Sequence, residues 1–162
     1  MIRPPDCFEK ARLAEGIELP PERLEVLSAF VGLLLKANRD LNLTAIRDPD
    51  EAWLKHVLES LALARRVEDC SSVVDLGSGA GLPGIPLAVA MPDTNFVLIE
   101  ATGKKARFIE SSCAELGLGN VSVLPVRAEQ AGRSAGHRGR HDAVLARAVG
   151  SLAELVELGL PL

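Results

Sequence analysis

The residues best placed to do chemistry form one run, Val74-Asp75-Leu76-Gly77-Ser78-Gly79-Ala80-Gly81. Its glycines, spaced G-x-G-x-G, follow a short apolar segment, Val73–Leu76, and precede an apolar helical stretch, Ile85–Ala90. Without Cβ atoms the chain can turn tightly there, and its backbone amides can approach a ligand closely. The helix N-terminus beyond the turn is electropositive and suits a carboxylate or phosphate. Glu100 closes the next apolar segment, Asn95–Glu100. In a doubly wound sheet, a carboxylate at that point stands beside the end of the first strand and can accept both hydroxyls of a ribose. The dinucleotide spacing G-x-G-x-x-G would need glycine at position 82, which is Leu82. The tighter spacing after an acidic residue suits a nucleoside attached to an amino acid.

The elements that must hold these residues follow from periodicity. Pro20 and Pro21 open a helix whose apolar series, Leu24, Leu27, Phe30, Val31, Leu34 and Leu35, recurs every three or four residues. The polar cluster Asn38–Thr44 offers competing side-chain hydrogen bonds and breaks that pattern. A second helix starts at Asp48-Pro49, with Asp48 as N-cap and Glu51 three residues on, and runs to about Arg66. After Ser71 strands and helices alternate: Val73–Leu76, Ile85–Ala90, Asn95–Glu100, Lys104–Leu116, Val121–Leu124, a connection, His141–Ala146, and a short helix at Ser151–Gly159. This alternation predicts an α/β fold, a Rossmann-like parallel sheet with helices on its faces. Residues 1–70 are expected to form an N-terminal helical extension and residues 71–162 the ligand-binding domain. Only four strands precede Leu162, so the sheet is expected to be incomplete.

Composition narrows the partners. A hydrophobic fraction of 48% and a mean hydropathy of +0.19 fit a packed domain. Aromatic residues make up 3%, with no Tyr, too few for a base-stacking platform. Cys7, Cys70 and Cys113 are scattered and form neither a disulfide framework nor a metal cluster, so no metal is expected. No signal peptide or membrane-spanning run is visible, and a cytoplasmic location is expected. The net charge of −4 divides into −3 for residues 1–72 and −1 for the rest. Within 127–147 the balance reverses: Arg127, Arg133, Arg138, Arg140 and Arg147 face Glu129 and Asp142, as a basic patch or as a solvated loop.

On these residues the chain resembles the RsmG (GidB) methyltransferases, which act on N7 of a guanine in 16S ribosomal RNA of the bacterial small subunit. The match runs through Asn42–Ile46, Trp53, His56, Ser60-Leu61, DLGSGAGLPGIPLA (Asp75–Ala88), Glu100, Lys104-Lys105, Phe108, Leu116–Leu118, Asn120-Val121, Arg127–Glu129 and Ala146–Val149, over residues 24–162. It departs at Ala101, where Ser is usual, at Glu59, where Asp is common, and in a longer, more basic 133–141. The resemblance implies a class I fold binding S-adenosyl-L-methionine at Asp75, Gly77, Ser78, Gly79, Gly81 and Leu82, with Glu100 on the ribose. Ala128 and Glu129 would flank the adenine, and Arg147 would stand at the mouth, near the methyl group and the incoming guanine. Lys104, Lys105 and Arg127 would meet RNA phosphate, on 16S ribosomal RNA or a small-subunit assembly particle. A monomer, with no membrane partner, is expected.

Such a reaction asks little of the protein. Guanine N7 presents a lone pair and no proton, so no general base is required, and alignment alone can supply roughly 7–11 kcal/mol. The sequence carries no Asn/Asp-Pro-Pro-Tyr/Phe segment for an exocyclic amine and no Pro-Cys pair for attack on a pyrimidine. Cys70 and Cys113 are expected to be ordinary thiols, Trp53 a core residue, and His56 a packing histidine. Two other readings stay open: a shortened, inactive cofactor-binding fragment, and a nicotinamide-dependent oxidoreductase, which Leu82 and the absence of a Tyr-x-x-x-Lys pair disfavour.

Overall fold

Four short strands, β1 (Ser72–Leu76), β2 (Asn95–Ile99), β3 (Val121–Leu124) and β4 (Ala143–Ala146), pair in parallel in the order β3-β2-β1-β4. The computed structural model describes residues 2–147 and 150–162. The strands are where the apolar runs place them, with β4 starting two residues later than expected because Asp142 is used otherwise. Its Oδ2 accepts from the backbone N–H groups of Ser71 and Ser72, at 2.8 and 2.9 Å, and so anchors the approach to β4 at the start of β1.

Alternation along the strands divides the core in two. Val73, Phe96 and Leu98 face one side, packed under α5 (Gly84–Ala90) and α6 (Gly103–Leu116). Val74, Leu76, Val97 and Ile99 face the other, covered by α7 (Ala128–Ala131) and α8 (Leu152–Gly159). Ser151 caps α8, its Oγ accepting from Glu154 N.

The N-terminal residues lie over α5 and α6 as a further helical layer. They form α1 (Asp6–Ala14), α2 (Pro21–Leu41), then α3 (Pro49–Ala52), a π-helical turn (Trp53–Leu58), α4 (Glu59–Leu61) and a 3-10 turn (Ala64–Arg66). Their buried residues, Phe8, Leu27, Phe30, Leu34 and Trp53 among them, join Val73, Leu87 and Leu98 in one apolar cluster. Trp53 is a core residue: its ring lies 4.8 Å from that of Phe8, and its Nε1 donates to the carbonyl of Ile2. Asp48 caps α3 as expected, its Oδ1 accepting from Glu51 N at 2.9 Å.

Three features differ from the expected elements. The helix α1 was not anticipated, since Phe8 is its only buried residue and no apolar stripe marks it. The polar cluster does not end α2 at Asn38. The helix continues to Leu41 and stops at Asn42, which takes the left-handed conformation (φ 48°). The connection after β3 contains α7, too short for periodicity to reveal.

Candidate functional site

At the C-terminal edge of the sheet, the turn after β1 opens into a cleft of about 320 Å³. Gly77, Ser78, Gly79, Ala80 and Leu82 form one wall. Leu43, Thr44 and His56, from the helical layer, form the opposite wall, and Lys105 and Arg147 complete the lining.

The turn is fixed from three sides. Gly77 N and Ser78 N donate to the carbonyl of Ile99, at 2.9 and 3.0 Å, so the end of β2 holds the end of β1. Ser78 Oγ donates to the carbonyl of Asp75 at 2.8 Å. The buried Glu100 carboxylate accepts from Gly79 N at 2.9 Å through one oxygen and from Thr102 N at 2.6 Å through the other. Each oxygen keeps a further lone pair. At Gly79 (φ +56°) an added Cβ would meet only the Gly77 carbonyl, 3.8 Å away, so the backbone here faces open space.

Asp75 stands behind this turn rather than in the cleft. It is fully buried, its Oδ2 accepts from Gly84 N at 2.9 Å, and its Oδ1 has no partner among the described residues. Burial pushes its carboxyl up to about 7. Gly84 has to be glycine, because a Cβ would lie 2.8 Å from both Asp75 Oδ2 and Leu98 Cδ1.

On the opposite wall, Asn38 clamps the loop after α2. Its Nδ2 donates to the carbonyls of Thr44 and Ile46, at 2.9 and 3.2 Å, and its Oδ1 accepts from Thr44 N at 2.9 Å. Thr44 Oγ1 then accepts from Ile46 N and pairs with His56 Nε2 at 2.8 Å. Burial first, and then the Arg147 guanidinium, hold the His56 imidazole below its ordinary value, which favours the neutral ring. Arg147, just beyond β4, donates through Nη2 to the carbonyl of Lys55 and to Glu59 Oε2, both at 2.8 Å. The end of β4 is thereby tied to the π-helical turn.

Of the residues expected in the site, Gly77, Ser78, Gly79, Leu82, Lys105 and Arg147 line the cleft. Glu100 and Gly81 lie directly behind its glycine wall, Glu100 through its bond to Gly79 and Gly81 within the turn. Lys104 is exposed beside Lys105 in the first turn of α6. Arg127, Ala128 and Glu129 follow β3 on the same edge of the sheet but do not line the cleft. The five arginines of 127–147 are dispersed: Arg147 reaches the cleft, while Arg140 lies two residues before Asp142, at the opposite end of the sheet. Ala148 and Val149 of the matched segment lie outside the described residues. Sequence reasoning overlooked Asn38 as a clamp, and its one signal was the polar interruption of the α2 pattern.

Cys113 is buried within α6, its thiol pushed up to about 11, and Cys70 is half-buried before β1. Among the described residues no helix is long and apolar enough to cross a membrane, and no group of three or more His, Cys, Asp or Glu side chains could hold a metal ion.

A parallel sheet with helices on both faces, a glycine turn after its first strand and a carboxylate ending its second define a Rossmann-like α/β protein of the methyltransferase type. A solved structure of a proposed O-methyltransferase from Klebsiella pneumoniae shares this fold, with a TM-score of 0.59 and 19% identity over 82% of this chain and 55% of that one. The family model GidB, rRNA small subunit methyltransferase G, matches residues 23–162, and the chain belongs to that family. Proteins named ribosomal RNA small subunit methyltransferase G are 46% identical in Sorangium cellulosum, 42% in Rubrobacter xylanophilus and 40% in Moorella thermoacetica, over 99, 97 and 90% of this chain. The chain spans 68, 60 and 62% of their respective lengths.

Proposed function

We propose that the chain binds S-adenosyl-L-methionine at the glycine turn and methylates N7 of a guanine in 16S ribosomal RNA, in the cytoplasm. Residues 71–162 would carry the cofactor and residues 1–70 would close the cleft over it. The observation that carries the reading is Glu100: a carboxylate at the end of β2, directly behind the glycine turn, braces the Gly79 amide, and each of its oxygens accepts one hydrogen bond and can accept another from a ribose hydroxyl. The exposed glycine backbone suits the amino-acid portion of the cofactor, and Ala128 and Glu129 are assigned to the adenine side. Asp75 supports the turn from beneath.

The cofactor supplies an electrophilic methyl group on a sulfonium. The protein's part is to exclude water and to align a guanine with it. No residue needs to remove a proton, because N7 carries none. Arg147 stands on the substrate side, where a guanidinium can meet phosphate or guanine O6. Lys104, Lys105 and Arg127 are assigned to RNA phosphate. Membership of an rRNA methyltransferase family supports the choice of RNA, and the choice of N7 rests on the resemblance of the sequence to that family.

Calorimetry with S-adenosyl-L-methionine tests the reading. Saturable binding is expected, weakened at least about tenfold in Glu100→Ala, which removes charged hydrogen bonds worth about 1.5–3 kcal/mol. Transfer of a labelled methyl group to protein-free 16S ribosomal RNA is the second readout. A chain that melts cooperatively yet binds no cofactor would refute the proposal.

A further inference from the structure

Two further depressions lie near the cleft, and both are edged by cations. One, of about 340 Å³, is lined by Lys36 and Arg39 of α2 and by Arg47 of the loop that follows, above Leu35 and Pro49. The other, of about 580 Å³, lies where the end of α2 meets α6 and carries Lys104 and Arg107 beside Leu41 and Phe108, with Glu110 as the carboxylate in its lining. All five cations are exposed. None of them takes part in an ion pair among the described residues, whose pairs involve Arg12, Lys55 and Arg147.

Chain continuity places both depressions next to the cleft. Asn38 lines the first and also clamps Thr44, a wall of the cleft. Leu41 lines the second and stands two residues before Leu43, another part of that wall. The exposed carboxylates nearby, Asp40, Asp48 and Asp50, line neither depression, and Asp48 is engaged by Glu51 N. The whole chain carries a net charge of −4, so it repels polyanions except where its cations are gathered. A base seated in the cleft leaves the phosphates before and after it outside the mouth, free to meet cations in neighbouring depressions.

From this placement, and resting on the RNA reading above, we infer that Lys36, Arg39 and Arg47 form a track for the RNA backbone on one flank of the target nucleotide, with Arg107 joining Lys104 on the other. The helical layer is then part of the substrate surface, and its hold on RNA is electrostatic. The aromatic fraction of 3% leaves little for base stacking.

The test measures binding of protein-free 16S ribosomal RNA to the full chain across about 50 to 300 mM salt. The combined variant Lys36→Ala, Arg39→Ala, Arg47→Ala should lower the slope of log affinity against log salt by about 2 to 3, at about 0.7–0.9 per phosphate contact. Its affinity at about 100 mM salt should fall at least tenfold, while calorimetric binding of S-adenosyl-L-methionine stays within about twofold of the parent. Arg140→Ala, at the far end of the sheet, should bind RNA like the parent. If the triple variant fails to melt cooperatively, Arg47→Gln alone should lower the slope by about one.

An unchanged slope overturns the inference, as does a parent chain that binds no RNA. A variant that binds naked RNA normally but loses assembled small-subunit particles would place a protein on this surface instead. A parent whose slope responds as expected but which transfers no methyl group would sink the proposed activity and leave the track standing.

Discussion

Asp75 carries its proton into a place where water cannot reach it. The folded carboxyl titrates at about 7, against 3.8 for the ordinary group, because burial penalises the charged form. Between those values the folded chain binds more protons than the unfolded one, so stability should fall as pH rises from about 4 to about 7 and then level off. A shift of about three units corresponds to a loss of about 4 kcal/mol. Urea melts across this range should show the decline in the parent and a flatter profile in Asp75→Asn. An Asn at this position can still accept from Gly84 N but does not titrate. An equal decline in both proteins would exonerate Asp75. The sequence made this residue visible as the acid before the glycines. Its burial was not legible, because that depends on Gly84 and Leu98 closing over it from other elements.

The helical layer shows the same division between local and distant causes. Pro20-Pro21 and Asp48-Pro49 announce helix starts because an N-terminus is built from adjacent residues. The end of α2 was misjudged because Asn38 spends its hydrogen bonds on Thr44 and Ile46, beyond the helix, and leaves the helical backbone undisturbed. The π-helical turn was hidden for a related reason: six residues, Trp53–Leu58, are too few to alter an apolar period. A clamp of three bonds has a measurable weight. Asn38→Ala should lower stability by about 2–3 kcal/mol, at about 1 kcal/mol per bond, and weaken cofactor binding by freeing the Leu43–Thr44 wall. Denaturant midpoints and calorimetry read the two effects separately. A stability loss below about 0.5 kcal/mol would show that the loop holds itself.

For the molecule as a whole, the order of strands and helices was readable because each βα unit announces itself in its own residues. The convergence of residues 38–56 on the glycine turn was not, since it depends on one helical layer settling over another. One surface remains notable at this scale. Leu152 and Val156 of α8 and Leu160, which follows it, recur every four residues and are 78, 47 and 81% exposed, close to the β4 edge of the sheet. Such an apolar stripe promotes self-association. Leu152→Glu with Leu160→Glu should reduce the concentration dependence of the particle size seen by light scattering. A parent that stays monomeric at every concentration would contradict this.

The bracing of the glycine turn by Glu100 has a kinetic side. With one carboxylate oxygen on Gly79 and the other on Thr102, the loop is already stiff before any ligand arrives. The entropy of ordering it is lost when the chain folds, not when the cofactor binds. A cofactor molecule therefore meets a receptor that has little left to rearrange, and its capture should be limited by how fast it diffuses into the cleft.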